Sequence, residues 1–142
     1  MLGSLSSLSL PPFNFFLINF FTLSFFLSFL FKKLIQQKNI KSFFYFGWLF
    51  GFSYFLTNLY WITISLSFDV NYTYLIPISL ILIPALLGLF FGIITSLFFL
   101  FNPKNILSAF FSFSVLFGSI EFVRGTILTG FPWNFFVYSF SE

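Results

Sequence analysis

The residues of this chain that could do chemistry are concentrated near its carboxyl end. They form the stretch Glu121-Phe-Val-Arg124-Gly125-Thr-Ile-Leu-Thr129-Gly130-Phe131-Pro132-Trp133. Glu121 and Arg124 are three residues apart, so on a helix their side chains share one face and can form an ion pair. One interpretation is therefore structural: the ion pair fixes the end of a helix, with Gly125 as its cap. Gly130 and Pro132 would then set the turn that follows.

The composition places this stretch in a membrane protein. Of the 142 residues, 59% are hydrophobic and only 6% are charged, and the mean hydropathy is +1.05. Soluble domains carry roughly 25% charged residues. A chain with so few charges cannot cover a water-facing surface, so we expect an integral membrane protein.

In a membrane, the carboxyl-terminal stretch also allows a binding interpretation. A guanidinium recognises phosphate through charge-assisted hydrogen bonds, which makes Arg124 a candidate to meet a phospholipid headgroup. Phe131 and Trp133 are candidates to meet acyl chains, and Thr129 and Tyr138 complete the lipid-facing set. The sequence favours the structural interpretation and leaves the binding one open.

Several kinds of chemistry are excluded by composition. The chain has no cysteine and no histidine, which rules out a thiol nucleophile, a Cys/His zinc site and an imidazole base within it. Asp69, Glu121 and Glu142 are too scattered for a paired-carboxylate site. We therefore expect no catalytic residue, metal site or cofactor site here. The net charge of +3 comes mainly from one lysine cluster and does not support nucleic-acid binding.

Apolar stretches predict an all-α integral membrane fold, a polytopic bundle of about four full spans plus an N-terminal helix stub. Because a bilayer core takes about 20 helical residues, we place the spans at 13–31, 43–65, 74–101 and 106–122. The stub covers 1–10, ahead of Pro11-Pro12. A signal peptide is the alternative for the stub, but no basic region precedes it and the prolines interrupt it. Residues 1–142 would form one transmembrane domain.

Charged residues between the spans predict the orientation. Lys32, Lys33, Lys38 and Lys41 separate the first two spans, Lys104 separates the last two, and Asp69 separates the middle two. Lysine-bearing loops remain in the cytoplasm. Residues 32–42 and 102–105 should then be cytoplasmic, and residues 66–73 and 125–134 should lie on the opposite side.

Two spans carry glycines four residues apart, Gly47 with Gly51 and Gly88 with Gly92. Such pairs lie on one helix face and let another helix approach closely. We expect them to pack helices within the bundle, with homodimerisation as the alternative. Tyr60 and Trp61, near the outer end of the second span, fit an interfacial aromatic belt.

The carboxyl-terminal stretch resembles the membrane domain of the apolipoprotein N-acyltransferase family. That family carries Glu-x-x-Arg-Gly, three further residues, Thr-Gly-Phe-Pro-Trp and then a Tyr-Ser pair, which Tyr138-Ser139 matches. Residues 51–65, with Tyr60-Trp61, resemble a second block of the family. The chain departs from the family pattern at Val137, where the family usually has glycine. It departs again at Phe68-Asp69-Val70, where the family commonly has Phe-Gly-Gly.

The resemblance implies transfer of an acyl chain from a phospholipid to the N-terminal diacylglyceryl-cysteine of lipoproteins, in the bacterial inner membrane. The last motif would lie on the periplasmic side. In the family, a nitrilase-like domain with a Glu-Lys-Cys triad performs the chemistry, and nothing here corresponds to it. We therefore expect an N-terminal fragment that supplies a lipid-facing scaffold and is inactive alone.

Two other functions remain open, a non-catalytic membrane scaffold and a transporter fragment. A transporter requires ionisable residues inside the bundle, and only Glu121 and Arg124 approach that condition.

Overall fold

The computed structural model describes residues 2–10, 15–36 and 39–127, and in these ranges the regular structure is entirely helical. Six α-helices occur there: α1 (Leu2–Ser6), α2 (Leu17–Gln36), α3 (Ile40–Asn58), α4 (Trp61–Ser67), α5 (Ile76–Phe101) and α6 (Ile106–Ile127). Short 3-10 helices at Ser7–Ser9 and Val70–Leu75 follow α1 and precede α5.

The described helices confirm the expected fold class. Three segments are long and apolar enough to cross a membrane: Leu17–Gln36, Asn71–Phe101 and Ile106–Ile127. The bent pair formed by α3 and α4 makes a fourth if it counts as one span. The chain is thus an all-α, multi-pass membrane protein.

The second span is not the single helix that its apolar run predicts. The backbone breaks at Leu59 and Tyr60, and α4 leaves α3 at an angle of 49°. Side chains in the last turn of α3 compete for its carbonyls: Thr57 Oγ1 and Asn58 Nδ2 donate to Tyr54 O at 2.9 and 3.1 Å. Such back-bonding favours a bend. The Asn58 side chain therefore donates within its own helix.

Helix α2 begins later and ends later than predicted, so that Lys32 and Lys33 belong to its last turns and not to a loop. Lysine is a good helix former, and its long stem can lie on apolar surface while the amine reaches outward. The Lys33 Nζ atom lies 4.2 Å from the ring centroid of Phe46 on α3. Lys41 likewise lies in the first turn of α3, where its N–H is capped by the side chain of Asn39.

The glycine faces of α3 and α5 lie against each other, and this is the most extensive helix contact in the described structure. A Cβ atom on Gly47 would overlap Thr95 and the backbone of Phe91. One on Gly88 would lie 2.9 Å from the backbone nitrogen of Phe52 and 3.1 Å from Trp48 O. The expected packing role of these glycines within the bundle is confirmed.

Two side-chain hydrogen bonds cross the same contact. Thr95 Oγ1, fully buried, donates to Phe43 O at 2.7 Å, and Trp48 Nε1 donates to Ala85 O at 2.9 Å. The residue order of these pairs shows that α3 and α5 are antiparallel. Each bond also gives a polar side chain a partner where lipid would offer none.

Stacked phenylalanine rings connect the other spans to this pair. The ring of Phe26 on α2 lies 4.3 Å from that of Phe50 on α3, which in turn lies 5.6 Å from Phe91 on α5. Phe113 on α6 contacts Phe26 edge-on at 6.2 Å. Four helices thus meet in one aromatic core.

The N-terminal residues form a helix that packs inside the bundle, as expected for the stub. Gly3 lies against Phe50 and Ser53 of α3, too close for any side chain at this position. The buried Ser6 hydroxyl donates to Thr22 Oγ1 of α2 at 2.7 Å. Pro11 and Pro12 lie outside the described residues.

We predict that Gly88→Ala lowers the free energy of unfolding by about 1–3 kcal/mol, because the added methyl group overpacks the backbone of α3. Gly118→Ala on α6 is the matched control, since a Cβ atom there meets nothing within 4 Å. It should be neutral or stabilise the helix by up to about 1 kcal/mol. Thermal unfolding in detergent micelles measures both. Equal midpoints for the two variants would contradict a stability role for the α3–α5 contact.

Candidate functional site

Glu121 and Arg124 form the ion pair that their spacing predicts. Both lie on α6, and Arg124 Nη2 donates to Glu121 Oε1 at 3.0 Å. The pair is enclosed, with the arginine side chain 2% exposed and the glutamate side chain 14% exposed. No other salt bridge occurs within residues 2–10, 15–36 and 39–127.

Arg124 also connects α6 to the end of α3. Its guanidinium lies over the ring of Phe55, 5.1 Å from the centroid, in the last turn before the break between α3 and α4. The neighbouring Tyr54 is fully buried and interacts electrostatically with both Glu121 and Arg124. A cation against an aromatic face gains most where water is excluded. The ion pair is therefore part of a cluster that holds two helices together.

This geometry favours the structural interpretation of Arg124. A headgroup ligand must present its guanidinium to the lipid surface, whereas this one is enclosed between Glu121 and Phe55. Burial of a charge is costly unless a counter-charge satisfies it. The arrangement meets that requirement within the protein.

The expected helix end at Gly125 is wrong. Gly125 lies inside α6, which continues to Ile127. The hydroxyl of Thr126 donates to Val123 O at 2.9 Å, within the same helix. The contacts of Arg124 with α3 hold this part of the helix, so a glycine interrupts it less than it would in an isolated segment.

Six of the predicted site residues lie outside the described residues: Thr129, Gly130, Phe131, Pro132, Trp133 and Tyr138. Their roles as turn formers or lipid contacts stay predictions. Tyr60 and Trp61 are described and lie at the break between α3 and α4. They are 56% and 38% exposed, and their place in an interfacial belt stays a prediction.

An apolar groove of about 330 Å³ lies between α2 and α6. Rings and aliphatic side chains form its walls, and Gly118 leaves one side open. Asn19, only 2% exposed, lies at the α2 wall. The groove can hold hydrocarbon and offers no charged group to a polar ligand.

Sequence reasoning missed Asn19, Tyr54 and Phe55 as parts of these sites. An asparagine in an apolar span was a visible signal for the first of them. For Tyr54 and Phe55 the only signal was their place in the block of residues 51–65 that resembles the family, because residue type does not distinguish them from the many other aromatic residues. Among the described residues, no group of three or more His, Cys, Asp or Glu side chains could hold a metal ion.

Comparison with protein families assigns the chain. Residues 2–142 match the family model described as apolipoprotein N-acyltransferase N-terminal domain. The chain belongs to this family. The resemblance seen in the sequence is thereby confirmed, and the matched range includes the Glu121–Arg124 pair.

Curated relatives named apolipoprotein N-acyltransferase agree with this assignment. The protein of Rickettsia typhi is 37% identical over 143 residues, which cover 99% of this chain and 27% of the relative. The protein of Rickettsia prowazekii is 41% identical over 68% of this chain and 19% of the relative. That of Allorhizobium ampelinum is 31% identical over 93% and 26%. The chain thus spans about a quarter of its relatives' length. No solved structure matches it.

We predict that Glu121→Gln and Arg124→Gln each lower the free energy of unfolding by about 3 kcal/mol, because each leaves a buried charge without its partner. The double variant should cost less than the sum, by a coupling energy of about 1–3 kcal/mol. Unfolding in detergent micelles gives all three values. Thr126→Val, on an exposed face of the same helix turn, is the control and should change little.

The opposite result is also well defined. If Arg124→Gln abolishes phospholipid binding while its stability and the Glu121→Gln variant remain normal, Arg124 is a headgroup ligand. The pairing interpretation would then be wrong.

Proposed function

We propose that this chain is the membrane domain of an enzyme that transfers an acyl chain from a phospholipid to the N-terminal diacylglyceryl-cysteine of lipoproteins. The observation that carries the proposal is the family match over residues 2–142, which includes the complete Glu121-to-Trp133 stretch. The name that the relatives carry, apolipoprotein N-acyltransferase, supports the same reaction.

In this proposal the chain positions lipid and performs no covalent step. The family's reaction passes through a thioester, and a thioester requires a cysteine, which this sequence lacks. The buried Glu121 carboxylate is bonded to Arg124 and so is poorly placed for general acid–base work. Residues 1–142 would act as one transmembrane domain beside a catalytic domain.

The ion-pair cluster gives the domain a defined role. By tying α6 to the end of α3, Arg124 fixes the position of the part of α6 that precedes Thr129 in the sequence. Thr129, Phe131, Trp133 and Tyr138 then contact the donor phospholipid or the lipoprotein acyl chains. A fixed position for α6 matters because acyl transfer requires the donor phospholipid and the lipoprotein to be held in the correct orientation relative to each other.

We further propose that the domain lies in the bacterial inner membrane with its lysine-bearing end in the cytoplasm. The described lysines lie at one end of the bundle, while Asp69 precedes α5 at the other. Lys/Arg-rich ends stay on the cytoplasmic side. The stretch after α6 is then periplasmic.

We predict that in intact cells an impermeant thiol reagent labels Thr73→Cys and leaves Gln36→Cys unlabelled. Both positions are exposed at opposite ends of the bundle, and the native chain has no cysteine to interfere. Permeabilised cells, in which both variants should react, are the control. The reverse pattern would mean that the orientation is wrong.

We predict that the chain alone shows no N-acylation of a diacylated lipopeptide, whereas a chimera is active. In the chimera, residues 2–142 replace the matching quarter of the Rickettsia typhi relative. Product is followed by mass spectrometry with phospholipid as donor. The chimera carrying Gly118→Ala is a control, because the substitution adds a methyl group where it meets no neighbouring atom. Turnover by the chain alone would contradict the scaffold role. A chimera that inserts and folds but does not acylate would contradict the proposed function.

A further inference from the structure

Four lysines meet at one end of the described bundle. Lys32 and Lys33 end α2, Lys41 begins α3, and Lys104 lies between α5 and α6. The contact of the Phe29 and Phe46 rings, 5.1 Å apart, places the end of α2 beside the start of α3.

The antiparallel α3–α5 pair brings Lys104 to the same place. The ring of Phe43, two residues after Lys41, lies 5.1 Å from that of Phe99, near the end of α5. Lys104 follows within a few residues. The four amines therefore share one end of the bundle, although they come from three separate parts of the chain.

No acidic side chain offsets these charges within residues 2–10, 15–36 and 39–127. The two acidic residues described there are Asp69, which caps the 3-10 turn at the opposite end, and Glu121, which is bonded to Arg124. Lys32, Lys41 and Lys104 are exposed, and none of them forms a salt bridge in this part of the chain. The amino ends of α3 and α6 and the carboxyl ends of α2 and α5 all lie at this end, so their partial charges offset one another and the lysines carry the net charge.

Lys33 has a defined position within the group. Its Nζ lies 4.2 Å from the ring centroid of Phe46 and 6.0 Å from that of Phe29, and its side chain is half-buried. The rings keep the amine at the edge of the apolar surface, which is the level that headgroups occupy.

The apolar surface beside the lysines indicates what kind of anion fits. Ile35, Phe101 and Ile106 are exposed next to the charged residues and require hydrocarbon contact. A ligand that satisfies both features carries a negative charge and hydrocarbon chains in one molecule. Free phosphate supplies only the first, and a soluble acidic protein cannot cover the second within the bilayer.

We propose that this lysine end, formed by Lys32, Lys33, Lys41 and Lys104, is a binding surface for anionic phospholipid headgroups such as phosphatidylglycerol. The amines donate charge-assisted hydrogen bonds to phosphate oxygens, and the flanking side chains contact the acyl chains. This surface is distinct from the Glu121–Arg124 cluster at the other end of α6, and it does not depend on the acyl-transfer proposal.

Native mass spectrometry tests the proposal on the purified chain extracted from mixed micelles of equal parts phosphatidylcholine and phosphatidylglycerol. We expect retained lipid to be enriched in phosphatidylglycerol. The variant with Lys→Gln at all four positions should lose the enrichment. The ratio of retained phosphatidylglycerol to phosphatidylcholine should fall by about fivefold for each amine that reaches the headgroups. The matched Lys→Arg variant keeps the charge and should retain the enrichment.

The outcomes separate the proposal from its competitors. Equal enrichment in the wild-type and Lys→Gln chains, or loss of enrichment in the Lys→Arg chain, overturns it. Inorganic phosphate that raises the unfolding midpoint in phosphatidylcholine nanodiscs as much as phosphatidylglycerol does also overturns it, because the site then binds free anion. If the chain with all four Lys→Gln substitutions fails to fold, the single Lys104→Gln variant is tested instead, because Lys104 lies outside the helices. An unchanged ratio of retained phosphatidylglycerol to phosphatidylcholine in this variant overturns the proposal.

Discussion

The close contact between α3 and α5 is the interaction on which the rest of the described bundle depends. In lipid there is little hydrophobic gain from bringing two helices together, so association relies on dense packing and on hydrogen bonds between them. Gly47 and Gly88 remove the side chains that would hold the backbones apart, and Thr95 bonds across the gap. The Phe50 and Phe91 rings of this pair then form the surface on which α2 packs through Phe26 and α6 packs through Phe117.

The buried ion pair matters because α6 is otherwise weakly held. Only 17% of its spanning window is buried within the described structure, against 39% for the span that contains α5. Arg124 compensates by reaching the end of α3, where its guanidinium covers the ring of Phe55. A charge that is expensive in lipid thereby connects two helices.

The sequence predicted the fold class, the approximate spans and the ion pair, because hydropathy and helical spacing are local signals. It could not predict the break at Leu59, which depends on how Thr57 and Asn58 compete for the carbonyl of Tyr54. The sequence prediction ended α2 too early because it assigned the lysines to a loop. In the structure Lys33 lies in the last turns of α2, with its amine over the ring of Phe46. Spacing also could not reveal which way Arg124 faces, and that direction depends on the position of a separate helix.

The separation of these contacts along the chain has a consequence for assembly during synthesis. The partners in α3 and α5 lie within about fifty residues of each other, so they can meet as soon as α5 has entered the membrane. Arg124 reaches Phe55 from almost seventy residues further on, and so this connection forms after the pair already exists. Synthesis from the amino end would thus assemble the α3–α5 pair before α6 joins it.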